Sequence, residues 1–101
     1  MTEWSFAGAD FDGFRSSLCQ LEEAKARYDQ FFDKMGEPKR FFRLFGVTKM
    51  LGQGANQNAI VVANAPAKLR WYFMQPVSHR YFTRAFRTSA PLIVTELKPM
   101  Q

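Results

Sequence analysis

The spacing of apolar side chains between residues 10 and 35 constrains the fold more than any other feature of this 101-residue sequence. Seven apolar residues and one lysine follow a 3-4-3-4 spacing: Phe11, Phe14, Leu18, Leu21, Lys25, Tyr28, Phe32 and Met35. At about 100° per residue, this spacing places all of them in one narrow stripe of a helix. Asp10 is a suitable N-cap, and Gly36 stands where a left-handed residue ends many helices. The pattern therefore predicts one long N-terminal helix over residues 10–35.

Proline and glycine residues divide the chain after this helix. Pro38 suits the first turn of a helix, where its missing N–H donor costs nothing, so a short second helix is predicted over residues 37–45. Two apolar runs then flank the polar segment Gly52-Gln53-Gly54. A glycine-containing segment between apolar runs is typical of a β-hairpin, and the pattern predicts a hairpin over residues 47–63.

The last third of the chain has clearer periodicity. In residues 67–74, the apolar Leu69, Trp71 and Phe73 alternate with residues of the opposite face, which indicates a half-buried strand. Residues 77–87 place apolar side chains on one arc of a helix and three arginines on the other, which predicts a basic amphipathic helix. Residues 91–97 are predicted to form the last strand.

Together these elements predict one α+β domain over residues 1–101. The expected architecture is an antiparallel sheet of about four strands, with a long N-terminal helix, a short second helix and a basic amphipathic helix before the last strand. Helices packed on one face of the sheet are the simplest layered arrangement for this set of elements. Trp4-Ser5-Phe6 is a candidate edge strand.

Charge is divided unevenly along the chain. Residues 1–35 contain four basic and seven acidic residues, whereas residues 36–101 contain ten basic and two acidic residues, so the net charges are −3 and +8. In the basic part, cations alternate with aromatic rings, a combination that suits a polyanion with stackable bases. The residues predicted to bind nucleic acid or an acidic protein are Arg40, Arg43, Arg70, Tyr72, Arg80, Arg84 and Arg87. The acidic face of helix 10–35 could instead neutralise these cations internally.

The sequence has no recognisable catalytic or metal-binding motif. Cys19 and His79 are 60 residues apart, which is not the spacing of a zinc site, and no metal or cofactor is expected. Glu22 and Glu23 are interpreted as charges on the solvent face of the long helix. The Gly52-Gln53-Gly54 fragment joins two predicted strands and opens no helix, so a phosphate-binding loop is not expected there.

Location and assembly follow from simpler features. No run of 18 apolar residues and no signal peptide is visible, and a single cysteine cannot form an internal disulfide. We therefore expect a cytoplasmic protein with no membrane partner. The apolar stripe of helix 10–35 could pair with a second copy, which makes a homodimer one candidate assembly.

Three functions are compatible with these observations. The first is a small non-enzymatic protein that binds nucleic acid, single-stranded or structured, through its basic, aromatic-rich face with little sequence specificity. The second is an accessory or inhibitor protein of a mobile element that docks on an acidic protein. The third is a toxin-type ribonuclease, which small basic α+β toxins suggest by analogy of fold and composition.

Overall fold

The computed structural model describes residues 4–6, 9–11, 13–15 and 20–99. The strands are β1 Trp4–Phe6, β2 Ala9–Phe11, β3 Gly13–Arg15, β4 Gln20–Lys25, β5 Lys68–Phe73 and β6 Ile93–Leu97. A 3-10 turn covers Asp29–Phe31, and a π-helical segment, Phe42–Val47, continues into helix α1, Thr48–Ala63. Helix α2 covers Pro76–Ser89.

The main sheet is mixed and has the strand order β3-β4-β5-β6. Strand β3 is antiparallel to β4, whereas β4, β5 and β6 run parallel to one another. Parallel neighbours need crossover connections, which α1 supplies between β4 and β5 and α2 supplies between β5 and β6. The two helices contact each other, so they cover the same face of the sheet. Strands β1 and β2 form a separate antiparallel pair.

The prediction of an antiparallel sheet is wrong, because the predicted hairpin over residues 47–63 is helix α1. The buried residues of α1 are Met50, Gly54, Gln57 and Val61, which follow a helical 4-3-4 spacing but include a glycine and a glutamine. Gly54 is needed for close packing, since a Cβ there would lie 2.6 Å from Cε1 of Phe86. Gly54 therefore allows two helices to approach each other, and neither Gly52 nor Gly54 forms a turn.

The predicted long helix over residues 10–35 is also wrong. The described part of that range contains β2, β3, β4 and the 3-10 turn. Arg27 adopts a φ of 58°, which no right-handed helix can accommodate. The helical spacing of the apolar residues therefore coincides with a different arrangement, in which Leu21 belongs to β4 and Phe32 to the loop after the 3-10 turn. Leu18 lies outside the described residues.

The second helix starts later and ends later than predicted. Pro38 forms an isolated antiparallel bridge with Phe32, and helical residues begin at Arg40. The helix does not end at Gly46, because this glycine lies within the π-helical segment, where a Cβ would overlap the ring of Phe42. The helical segment thus passes through residues 42–47 into α1 without a break.

The core lies between the sheet and the two helices. Trp71 and Phe73 of β5 and Phe82 and Phe86 of α2 are almost completely buried. The Trp71 and Phe86 rings meet edge to face at 4.9 Å, and the Phe73 and Phe82 rings stack at 5.7 Å. These three C-terminal elements, β5, α2 and β6, lie where the sequence pattern predicted a strand, a helix and a strand.

Asp29 fixes the start of α2 from outside the helix. Its two carboxylate oxygens accept hydrogen bonds from the backbone N–H groups of Val77 and Ser78 at 3.1 and 2.7 Å. Its own N–H donates to Oε1 of Gln75 at 2.9 Å. The first N–H groups of a helix have no partner within the helix, so this carboxylate joins the loop after β4 to α2.

Candidate active site

A charged pair lies on the helix-covered face of β4. Leu21, Glu23 and Lys25 alternate along this strand and therefore share one face. Glu23 is only 4% exposed, and the side chain of Lys25 is 12% exposed. Charged residues are rarely buried to this degree unless they are paired, and such pairs are frequent at functional sites.

The pair is completed by Gln53 of α1. The Lys25 ammonium donates to Oε1 of Gln53 at 2.9 Å, and Nε2 of Gln53 donates to Oε2 of Glu23 at 3.3 Å. Nζ of Lys25 lies 3.6 Å from the same Glu23 oxygen. We call these three residues, Glu23, Lys25 and Gln53, the Glu–Lys–Gln cluster. The amide orients both charged groups through one side chain.

An aromatic ring supports the cluster from β5. The Trp71 ring centroid lies 5.0 Å from Nζ of Lys25, within the range of a cation–π contact. The Trp71 indole N–H donates to Oε1 of the buried Gln57 at 2.8 Å, which fixes the ring. Strand β4, strand β5 and helix α1 therefore each contribute to holding Lys25 in place.

The position of the cluster in the sheet suits a binding site. Lys25 is the last residue of β4, so the ammonium lies near the carboxyl end of the parallel strands. Open parallel sheets bind their ligands at this edge.

A buried ion pair also contributes little to stability relative to apolar side chains of similar volume, because both charges lose their hydration. The contribution of this pair to stability therefore does not by itself explain why it is buried.

The cluster contains one carboxylate, Glu23, that could serve as a ligand of a magnesium ion. Magnesium is commonly bound by one or two carboxylates with several water ligands, and the Glu23 carboxylate offers oxygen donors of that kind. Within residues 20–99 and the three described N-terminal segments, no group of three or more His, Cys, Asp and Glu side chains could hold a metal. Within the Glu–Lys–Gln cluster, Glu23 is therefore the carboxylate that would bind such an ion.

The arginines predicted on α2 form one exposed row. Arg80, Arg84 and Arg87 are all exposed, and together they line a groove of about 350 Å³ beside β6. Arg80 and Arg84 also line a second groove between α2 and the segment around Gly36. In the part of the chain that the structure describes, no carboxylate forms an ion pair with these three arginines. Of the acidic residues in the first third of the chain, the side chains of Glu22, Glu23, Asp29 and Asp33 are described, and none of these four pairs with the arginines of α2.

The other predicted binding residues lie elsewhere. Arg70 and Tyr72 are on the sheet face away from the helices, where Arg70 pairs with Glu96 at 3.1 Å. The Tyr72 hydroxyl donates to Oε2 of Glu22 at 2.9 Å, and Lys98 lies over the Tyr72 ring at 5.2 Å. The two remaining arginines, Arg40 and Arg43, are exposed near the start of the helical segment. Arg70 and Tyr72 are therefore separated by the sheet from the arginines of α2, so the seven residues do not all share one surface.

The Glu–Lys–Gln cluster was not predicted from the sequence. Glu22 and Glu23 were expected on the solvent face of a long helix, whereas Glu23 is buried and the two carboxylates lie on opposite faces of β4. The alternation of Leu21, Glu23 and Lys25 was the available signal, because it places an acid and a base beside an apolar residue on one strand face. His79 is half-buried beside Phe73, and Cys19 lies outside the described residues.

The structure also bears on the expected homodimer and on the expectation of no membrane partner. The apolar stripe proposed for a homodimer belonged to helix 10–35, which the structure replaces by strands, so the dimer has lost its basis. Among the residues described, none of the helices combines the length and the apolar character needed to cross a lipid bilayer.

Comparison with known protein families identifies the class of this chain. Residues 1–76 match the family described as restriction endonuclease fold toxin 5. The match covers most of the chain, and the protein belongs to this family. It includes the whole Glu–Lys–Gln cluster and ends at the first residue of α2. A comparison with curated proteins found no relative of this chain. Of the three functions considered from the sequence, the toxin-type ribonuclease is closest to this family.

Proposed function

We propose that this protein is a toxin nuclease that hydrolyses phosphodiester bonds of nucleic acid at the Glu–Lys–Gln cluster. One observation carries the proposal: a buried Glu23–Lys25 pair, oriented by Gln53, lies at the carboxyl edge of the parallel strands within the segment that matches the family. The name of that family joins a restriction endonuclease fold with a toxin, and cleavage of nucleic acid would account for both.

Each residue of the cluster has a distinct role in this proposal. Hydrolysis builds negative charge on the phosphate oxygens as water attacks phosphorus and the ester bond breaks. The Lys25 ammonium stabilises that charge, and its contact with Trp71 keeps it in one position. Glu23 takes a proton from the attacking water as the new P–O bond forms, and the ester oxygen that leaves takes a proton from solvent water. Gln53 holds both charged side chains. A divalent metal ion, held by Glu23, would supply further charge neutralisation at the phosphate.

The arginine row of α2 gives the proposed enzyme a phosphate-binding surface. Arg80, Arg84 and Arg87 are exposed on one side of the helix and form no ion pair with the residues that the structure describes. Arginine binds phosphate oxygens well because its planar guanidinium can donate two parallel hydrogen bonds. These contacts would hold the backbone without reading the base sequence.

Cleavage of defined nucleic acids by variants tests the proposal. Purified protein is incubated with RNA, single-stranded DNA and duplex DNA, in buffer with MgCl₂ and in buffer with EDTA. Glu23→Gln and Lys25→Met should each lower the cleavage rate by about a hundredfold or more, as expected when one transition-state group is removed. Glu22→Gln is the matched control, because it changes the same residue type one position earlier on the opposite face.

Two outcomes would contradict the proposal. Equal cleavage by the wild-type protein and both cluster variants would place the activity elsewhere. Salt-sensitive binding of all three nucleic acids with no cleavage in any buffer would instead support the non-enzymatic binding protein considered from the sequence.

A further inference from the structure

The start of the helical segment exposes large aromatic rings. Phe41 is 71% exposed and Phe45 is 64% exposed, and their ring centroids lie 5.4 Å apart. Aromatic side chains supply most of their stabilising energy when they are buried, and contiguous exposed apolar surface usually marks an interaction site. Folding of the chain therefore does not explain these two rings.

The rings belong to a groove that the fold has already shaped. Phe41 and Phe45 line it together with Tyr28 and Phe31, and the groove has a volume of about 470 Å³. Phe31 is stacked on the buried Phe42, with the two rings 4.9 Å apart and inclined by 12°. The stacked Phe31 and Phe42 rings form the floor of the groove.

Positive charge surrounds the aromatic surface. Arg27 and Lys49 line the groove, and no acidic residue does so among those that the structure describes. A polyanion with flat apolar groups is complementary to such a surface, whereas an apolar protein segment would leave the two cations unused. Charge therefore favours nucleic acid as the occupant over a protein.

The groove and the Glu–Lys–Gln cluster draw residues from neighbouring positions at two places in the chain. Arg27 follows Lys25 by two residues at the end of β4. On α1, Lys49 precedes Gln53 by four residues, so the two side chains are one helical turn apart on the same face. A strand whose phosphate lies at Lys25 would therefore continue into the groove.

We infer that this groove binds unpaired nucleobases next to the bond that is cleaved, and that the substrate class is single-stranded nucleic acid. In a duplex, both faces of each base are covered by its neighbours, so only an unpaired base can stack on Phe41 and Phe45. This inference rests on the proposed function, because the cluster sets the position of the phosphate. It adds the substrate class and the part of the site that selects it.

Equilibrium binding tests the inference separately from catalysis. Fluorescein-labelled oligothymidylate of about twelve nucleotides is titrated with protein in EDTA, and its fluorescence anisotropy is recorded. A duplex of the same length and an oligonucleotide with abasic residues serve as probes for pairing and for the bases. The double variant Phe41→Ala/Phe45→Ala is compared with Leu44→Ala, which changes a neighbouring residue that is 58% exposed but does not line the groove.

The double variant should raise the Kd for oligothymidylate about tenfold or more, as expected for the loss of at least one base-stacking contact. It should change the Kd for the duplex and for the abasic strand much less, and Leu44→Ala should resemble the wild type. All three substituted residues are exposed, so circular dichroism should report an unchanged fold.

Equal affinity of the double variant and the wild type for oligothymidylate would overturn the inference, and so would an equal loss on the abasic strand. The first result would indicate that the groove serves a protein partner. Absence of cleavage by the wild type would count against the proposed nuclease alone, because the binding titration does not depend on catalysis.

Discussion

Two glycines of α1 provide a quantitative test of the structure. Gly52 is exposed, and a Cβ at this position would have no atom within 4 Å. At Gly54, a Cβ would lie 2.6 Å from Cε1 and 3.0 Å from Cζ of Phe86, and 3.2 Å from Cδ1 of Ile93. Phe86 is buried and meets Trp71 edge to face, so its ring has little room to move. Alanine is therefore expected to stabilise the protein at position 52 and to be less favourable at position 54.

The expected free energies follow from these contacts. In a helix interior, alanine is more favourable than glycine by about 1 kcal/mol, and both variants gain this term. Overpacking in a buried region costs about 1–3 kcal/mol, and only Gly54→Ala has this cost. Gly52→Ala should therefore raise the free energy of unfolding by about 0.5–1 kcal/mol. Gly54→Ala should have a free energy of unfolding about 1–3 kcal/mol below that of Gly52→Ala.

Urea denaturation followed by circular dichroism measures both free energies. The midpoint should rise for Gly52→Ala and fall relative to it for Gly54→Ala, with similar slopes for the two variants. If Gly52→Ala were as destabilising as Gly54→Ala, residues 48–63 would not form a helix with one buried face, and the parallel arrangement of β4 and β5 would lose its crossover.

Two further predictions concern the joint at α2 and its surface. Asp29→Ala should lower the free energy of unfolding by about 1–2 kcal/mol in urea denaturation, because two N–H groups of α2 lose their acceptor. Asp29→Asn should retain part of the stabilisation that the cap provides, and no change in either variant would argue against this cap. The double variant Arg80→Gln/Arg84→Gln should reduce the slope of log Kd against the logarithm of the salt concentration by about 1.4 for single-stranded nucleic acid, since each phosphate contact contributes about 0.7. An unchanged slope would exclude these residues from phosphate binding.

The sequence predicted best those elements whose two faces differ most. Strand β5 alternates buried Trp71 and Phe73 with partly exposed Arg70 and Tyr72, so its period is visible without the structure. Helix α2 likewise has a strongly apolar and a strongly basic side. Helix α1 gave no such signal, because its buried face includes Gly54 and Gln57, which are not apolar side chains. The residues that pack against this face belong to other elements of the chain.

The candidate site could not be predicted for a related reason. Glu23 and Lys25 have the composition of a solvated surface, and only tertiary structure shows that α1 covers them. Gln53 lies 28 residues after Lys25, between two glycines that favoured a turn over a helix. The row of arginines on α2, in contrast, was visible from sequence, because exposed charge on an amphipathic helix depends only on local spacing.

The parts of the candidate site can come together only in a certain order. Asp29 fixes the start of α2, and Phe86 of the same helix packs against Trp71. A ribosome releases Lys25 and Gln53 well before Phe86, whose ring packs against the tryptophan that supports the lysine. A nascent chain therefore carries every residue of the cluster before it can hold them in position. The support of Lys25 by Trp71 would therefore be complete only when α2 docks on β5, so the proposed site depends on a helix that lies almost entirely outside the matched residues 1–76.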